Sequence, residues 1–148
     1  MDRLTRNSII ISAFLLVFLI VTLAWQRFGM TPRVWQLNDV LEADPVLSQA
    51  PYRFRVLVFL NGIATLSSPH ADLVPLETYV KAADPALAER PADDAEVVAA
   101  ERAFRESELR AIAVLLAQPD VDSVVWSLDR AWYHKHGVRL GAIPNTGG

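Results

Sequence analysis

Residues 52–67 read YRFRVLVFLNGIATLS: two β-prone runs joined by Asn61-Gly62. A two-residue hairpin turn needs positive φ at both positions, which Asn and Gly tolerate better than any other pair. The spacing predicts strands at 53–60 and 63–67. The second half of the first run, VLVFL, does not alternate. It reads as a strand covered on both faces, or as one with a face that docks a partner. Arg53 and Arg55 fall on the same side as Leu57 and Phe59. They are candidate partner contacts, weighed against ordinary solvated charge at a strand end.

Upstream, residues 8–25 read SIIISAFLLVFLIVTLAW, with twelve Ile, Leu, Val or Phe and no charge, Gly or Pro. Extended to Phe28, the helix would reach about 31 Å, the thickness of a hydrocarbon core. Insertion is favoured by about 5 kcal/mol, and Trp25 and Phe28 sit where an interfacial aromatic belt forms. The expectation is a single transmembrane helix over 8–28 after a short tail, 1–7. A cleaved secretory signal competes with it, since Arg3 and Arg6 precede the run and Thr22-Leu23-Ala24 loosely fits a cleavage site. Basic residues flank both ends, so the positive-inside rule scarcely decides orientation. An N-terminal signal-anchor normally exports the long part that follows, giving a cytoplasmic N-terminus and a periplasmic domain at a bacterial inner membrane.

Between span and hairpin, Thr31-Pro32 reads as an N-cap with proline at the first helical position. Val34, Leu37 and Leu41 follow at helical spacing until Asp44-Pro45. We expect a connecting helix within 29–51. After the hairpin, 76–83 reads as a short helix and 84–94 as a polar, loosely ordered connection suited to a partner. Asp93 with Glu96 forms a capping-box start for a long helix, 93–118. Its apolar stripe comprises Ala100, Ala103, Phe104, Ala111 and Leu115, and its last turns, LRAIAVLLA, read as buried almost all round. Strands are expected at 121–128 and 138–143, separated by a short helix that Asp129 caps and Gly137 ends. Trp126 reads as a core or sheet-face aromatic, and 144–148 as a flexible tail.

These elements predict an α+β fold: an N-terminal single transmembrane helix, then an extramembrane domain over 52–143. That domain is expected to be a small antiparallel sheet with helices on one face, in a ferredoxin-like αββαββ-type arrangement. The plan resembles small membrane-anchored subunits of secretion and pilus machines. What the resemblance implies is an envelope subunit that works through protein contacts.

Composition narrows the chemistry. The chain has 17 acidic and 14 basic residues and no Cys. Without residues 1–7 the balance becomes more acidic, which disfavours nucleic acid and anionic lipid as partners. The lack of Cys excludes thiol catalysis, disulfides and Cys-based metal sites. His134-x-His136, with His70 and Asp72, offers a metal or ligand site only if distant loops converge. Ser67, Ser68 and Ser127 lie in no nucleophile motif. Asp93, Asp94 and Glu96 suit a helix start better than an acid–base pair. The letters of 143–147, IPNTG, resemble a sortase signal but lack the hydrophobic stretch that such a signal needs. Trp132 and Tyr133 sit in a segment too short to bury both easily, so they are candidate partner contacts.

The expectation is therefore a non-enzymatic subunit of an inner-membrane or envelope assembly of the secretion, conjugation or pilus type. It has no cofactor, metal or evident small-molecule substrate. The alternatives are a tethered periplasmic enzyme or sensor using His70, His134 and His136, or an accessory subunit of a respiratory or transport complex.

Overall fold

The computed structural model describes residues 2–27 and 32–141, which divide into two units at Pro32. The first is one helix, α1 (Arg3–Arg27). Its stretch Arg3–Trp25 has mean hydropathy 2.6, and none of the most apolar window is buried. A helix this long, apolar and exposed is consistent with a signal-anchor or a signal sequence. Phe28 and Thr31, read above as belt and N-cap residues, lie outside the described residues, as do 142–148.

The second unit is an α+β domain whose elements run α2 (Arg33–Ala43), β1 (Val56–Leu60), β2 (Ile63–Ser68), α3 (Leu76–Ala83), α4 (Ala95–Leu116), β3 (Ser123–Leu128) and α5 (Arg130–Lys135). Single 3₁₀ turns form at Leu47–Gln49 and Pro85–Leu87. The hairpin forms as expected: Asn61 and Gly62 have φ of 50° and 78°, and β1 pairs antiparallel with β2. The strand is shorter than 53–60, although the Ser67 N–H still donates to Arg55 O at 2.9 Å. A register shift between Val56 and Val58 turns Leu57 outward.

The sheet is mixed rather than antiparallel. β3 pairs parallel with β2, giving the order β1-β2-β3. The reason is topological: α3 and α4 intervene between β2 and β3, and a helical crossover returns the chain in the direction in which it left. The expected strand over 138–143 is absent through Gly141. Val138 instead donates its N–H to Tyr133 O, and its side chain and that of Leu140 pack on the core without a ladder. Three strands in mixed order do not make the ferredoxin-like plan.

The core lies between one sheet face and the helices. Leu37, Ala64, Leu66, Val97, Ala111 and Leu115 are fully enclosed within it. Phe104 centres an aromatic cluster with Phe54 and Tyr79, and Trp126 joins through Phe54. The last turns of α4 are not buried all round: Leu109 and Leu116 are 67% and 46% exposed, and Ala103 also faces out. The helix rests on a single sheet face, so only one stripe can be covered. Asp94, not Asp93, caps α4 by accepting from Glu96 N–H, while the Glu96 carboxylate pairs with Arg90 at 3.0 Å. The 84–94 connection is more ordered than its composition suggests, because Leu87 is buried and Asp84 caps the turn through Ala86 N–H.

Two polar contacts fasten α2 to this layer. The Asn38 side-chain amide donates to Val56 O at 3.1 Å and accepts from Val56 N–H at 2.7 Å, closing that part of the β1 edge. The buried Asp44 carboxylate accepts from Val46 and Leu47 N–H and from Arg110 Nε and Nη2. These bonds, Arg110 foremost, hold its pKa below the ordinary carboxylate value. A depressed native pKa stabilises the fold above the unfolded value and is lost as pH falls through the native one.

Asn38→Ala strands a buried amide and carbonyl and is expected to cost about 1–3 kcal/mol in chemical denaturation. In the same assay wild-type stability should fall as pH drops below the ordinary Asp value of 3.8. Asp44→Asn should be less stable at neutral pH and should show a smaller loss across that range.

Candidate functional site

Three places could carry function: the loop after β2, helix α5, and the sheet face turned away from the core. In the first, the chain leaves β2 at Ser68 and turns through Ala71 and Asp72, whose φ values of 45° and 55° are uncommon for residues other than Gly. The turn is held by Ser68, which is fully buried. Its Oγ accepts from His70 and Ala71 N–H and donates to Glu108 Oε1 at 3.0 Å. His70 Nδ1 lies 3.3 Å from the same Glu108 oxygen and 3.9 Å from Asp72 Oδ1. Burial, with Glu108 nearby, pushes the Tyr79 hydroxyl up to about 12.

This arrangement brings together His70, Asp72 and Ser68, which lie near one another in sequence, and adds Glu108 from α4. It is not a nucleophile–base pair. The His70 ring faces Glu108 through Nδ1, and the Ser68 hydroxyl is engaged on the same carboxylate. Ser67 Oγ accepts from Arg55 N–H and lies 3.1 Å from the Tyr52 hydroxyl, which donates to Asp129 Oδ2 at 2.8 Å. Burial, reinforced by Asp129, raises the Tyr52 pKa further.

The remaining imidazoles belong to α5 and its C-cap. Asp129 caps α5 by accepting from Trp132 N–H; His134 lies exposed on the helix and His136, also exposed, follows its last residue. His136 stacks on Trp132 at 3.9 Å between ring centroids, and its Nδ1 lies 2.7 Å from Trp132 O. Among the described residues no three His, Asp or Glu side chains converge to hold a metal ion.

The named contact candidates part company. Tyr133 is 1% exposed, and its hydroxyl donates to Pro69 O at 2.6 Å. Burial raises its pKa, and the ring has no surface to present. Trp132 is half-buried, packed against Tyr79 and Tyr133 with His136 over it. Arg53 and Arg55 are exposed on the lead-in to β1.

The sequence left open whether VLVFL is covered on both faces or has one face that docks a partner, and the structure leaves its outer face exposed among the described residues, where it is joined by Ile63 and Val125. Leu57, Val58, Leu60, Ile63 and Val125 are each 43–65% exposed. The ladders place Leu60 beside Ile63, and Val58 beside Thr65 and then Val125, so four of the five form one continuous face, with Leu57 adjoining at the bulge. The unbroken VLVFL run carried the signal. Covered and uncovered strands share that pattern, and only the placement of the helices separates them.

Comparison with protein-family models, curated proteins and solved structures finds no match.

Glu108→Ala removes the acceptor of a buried hydroxyl and is expected to lower unfolding free energy by about 1–3 kcal/mol. Ser68→Ala in that background should cost still more, since the His70 and Ala71 N–H groups then lose their acceptor. A double-mutant cycle in denaturant measures the coupling.

Proposed function

We propose that the protein is a non-catalytic, single-span subunit of a bacterial inner-membrane or cell-envelope assembly of the secretion, conjugation or pilus type. Its N-terminus is cytoplasmic, and its α+β domain acts on the periplasmic side through protein–protein contacts. One observation carries the reading: the outer sheet face is apolar and, among the described residues, uncovered. Five such side chains at about half exposure present on the order of 400 Å², in the range of the largest apolar patch on a typical monomer, which is often functional. The apolar exposed helix α1 supplies the tether.

Two further features support it. The polar side chains that could do chemistry, in Ser67, Ser68 and Glu108, are engaged in holding loops and caps. The 84–94 connection borders an apolar cleft of about 320 Å³ lined by Val80, Leu87, Ala100 and Phe104, a second place for a partner side chain.

The test is purification of the full chain from native membranes in mild detergent, comparing wild type with Leu60→Asp. At 65% exposure this position should tolerate the change within about 0.5 kcal/mol. Loss of the co-purifying proteins with an unchanged unfolding midpoint is the expected result. Their full retention would remove the outer face from the interaction.

A further inference from the structure

Residues 28–32 are all that join α1 to α2. Whatever path they take, the Cα steps from Arg27 to Arg33 cover at most about 21 Å. With α1 across a bilayer, that length keeps the start of α2 close to the membrane surface.

The end of the domain that holds Arg33 is built from two helices. Arg33 Nε and Nη2 donate to Asp120 at 2.8 and 2.7 Å, and Nη2 also donates to Gln118 Oε1 at 3.1 Å. At the other end of α2, Asp44 binds Arg110. These two clamps lay α2 antiparallel along the last turns of α4, so the start of α2 meets the end of α4.

Charge runs along this pair in one direction. α4 carries seven charged residues from Glu96 to Arg110 and none from Ala111 to Pro119. α2 supplies Leu37 and Leu41 to the core, and Trp35 lies on its opposite side, 61% exposed. Asp39 and Glu42 follow on the stripe of Trp35, farther from the tether, and both are exposed. Leu116 is 46% exposed, and Pro32, Ala117 and Pro119 at this end are exposed and uncharged. Arg33 and Asp120 neutralise each other, and the next carboxylate, Asp122, sits beside Gly62.

We propose that this end of the domain rests in the headgroup region of the bilayer that α1 spans, with Trp35 as the inserted side chain and Leu116 as its second apolar contact. An indole joins an apolar ring to one N–H donor, which suits a boundary that is wet on one side. The domain is acidic, so the contact is apolar rather than electrostatic and fits a zwitterionic lipid surface. The short connection raises the local concentration of the surface, so few apolar side chains are needed to hold one orientation. Asp39, Glu42 and the charged half of α4 then stay in water. The inference rests on reading α1 as a membrane span and makes no use of the outer sheet face.

The experiment uses the full chain in phosphatidylcholine vesicles, with one nitroxide at a time on a Cys placed in the Cys-free sequence. Leu116→Cys reports the docked end, and Glu42→Cys and Glu96→Cys report the charged regions. Oxygen, which concentrates in lipid, is compared with a water-soluble nickel chelate as the collision partner. Oxygen should prevail at 116 and the chelate at 42 and 96, and molar salt should leave the contrast unchanged. Trp35→Ser should raise chelate collisions at 116 severalfold. Equal, water-like exposure at 116 and 42 in a chain that resists carbonate extraction overturns the docked end and leaves the span standing. A lipid-like signal at 116 that ignores Trp35→Ser overturns it too, because Trp35 is then not what holds the domain. A chain that carbonate washes from the vesicles overturns the span and the docked end together.

Discussion

The carbonyl of Gly62 is where the domain is decided. It ends a turn that only a positive-φ residue completes, and it accepts the N–H groups of both Asp122 and Ser123, at 2.8 and 3.2 Å. One residue therefore closes the antiparallel pair and starts the parallel one. A Cβ at Gly62 would strike the Asp122 carboxylate, so the position is constrained by its neighbour as well as by its own φ. β2 becomes the shared central strand, and its Ala64 and Leu66 side chains are completely enclosed. The helices follow from that choice. A chain that leaves β2 at Ser68 and must re-enter beside Ile63 has to travel the length of the strand, and α4 spans that distance.

The local parts of this plan were legible in the sequence. Asn61-Gly62 announced the hairpin, 76–83 formed a helix with those bounds, and Asp129 caps α5 as its position suggested. The misses concern partners distant along the chain. Parallel pairing depends on where the crossover lands, which no local pattern records. Leu109 and Leu116 carry the same letters as the buried Leu115, and only the single covered face of the sheet separates them. Val138 and Leu140 alternate like strand residues and even pack inward, yet burial alternation supplies no ladder partner.

The polar network was the least readable part. Asp44 looks like a helix stop beside Pro45, but its carboxylate is buried and bound by Arg110, 66 residues away. Asn38 looks like a surface residue of α2, but its amide substitutes for a neighbouring strand at Val56. Ser68 and Glu108 could be mistaken for chemistry when seen together. Their bonds run to the loop that brings the chain out of β2, and the cost of leaving any of those buried groups unpaired explains why they are matched so completely.

That accounting bears on function. Ser67, Ser68, Asp44, Glu108 and His70 are all tied into caps and corners. Among the described residues, what remains unmatched is of another kind: apolar side chains on one sheet face and backbone groups along one sheet edge. Surfaces of this kind are the ones that support the protein-contact reading proposed above. The asymmetry between the edges sharpens the point. Asn38, a bulge and α2 close the β1 edge, whereas the uncharged β3 edge has no backbone partner among the described residues, so among those residues the devices against edge pairing stand on one side of the sheet alone.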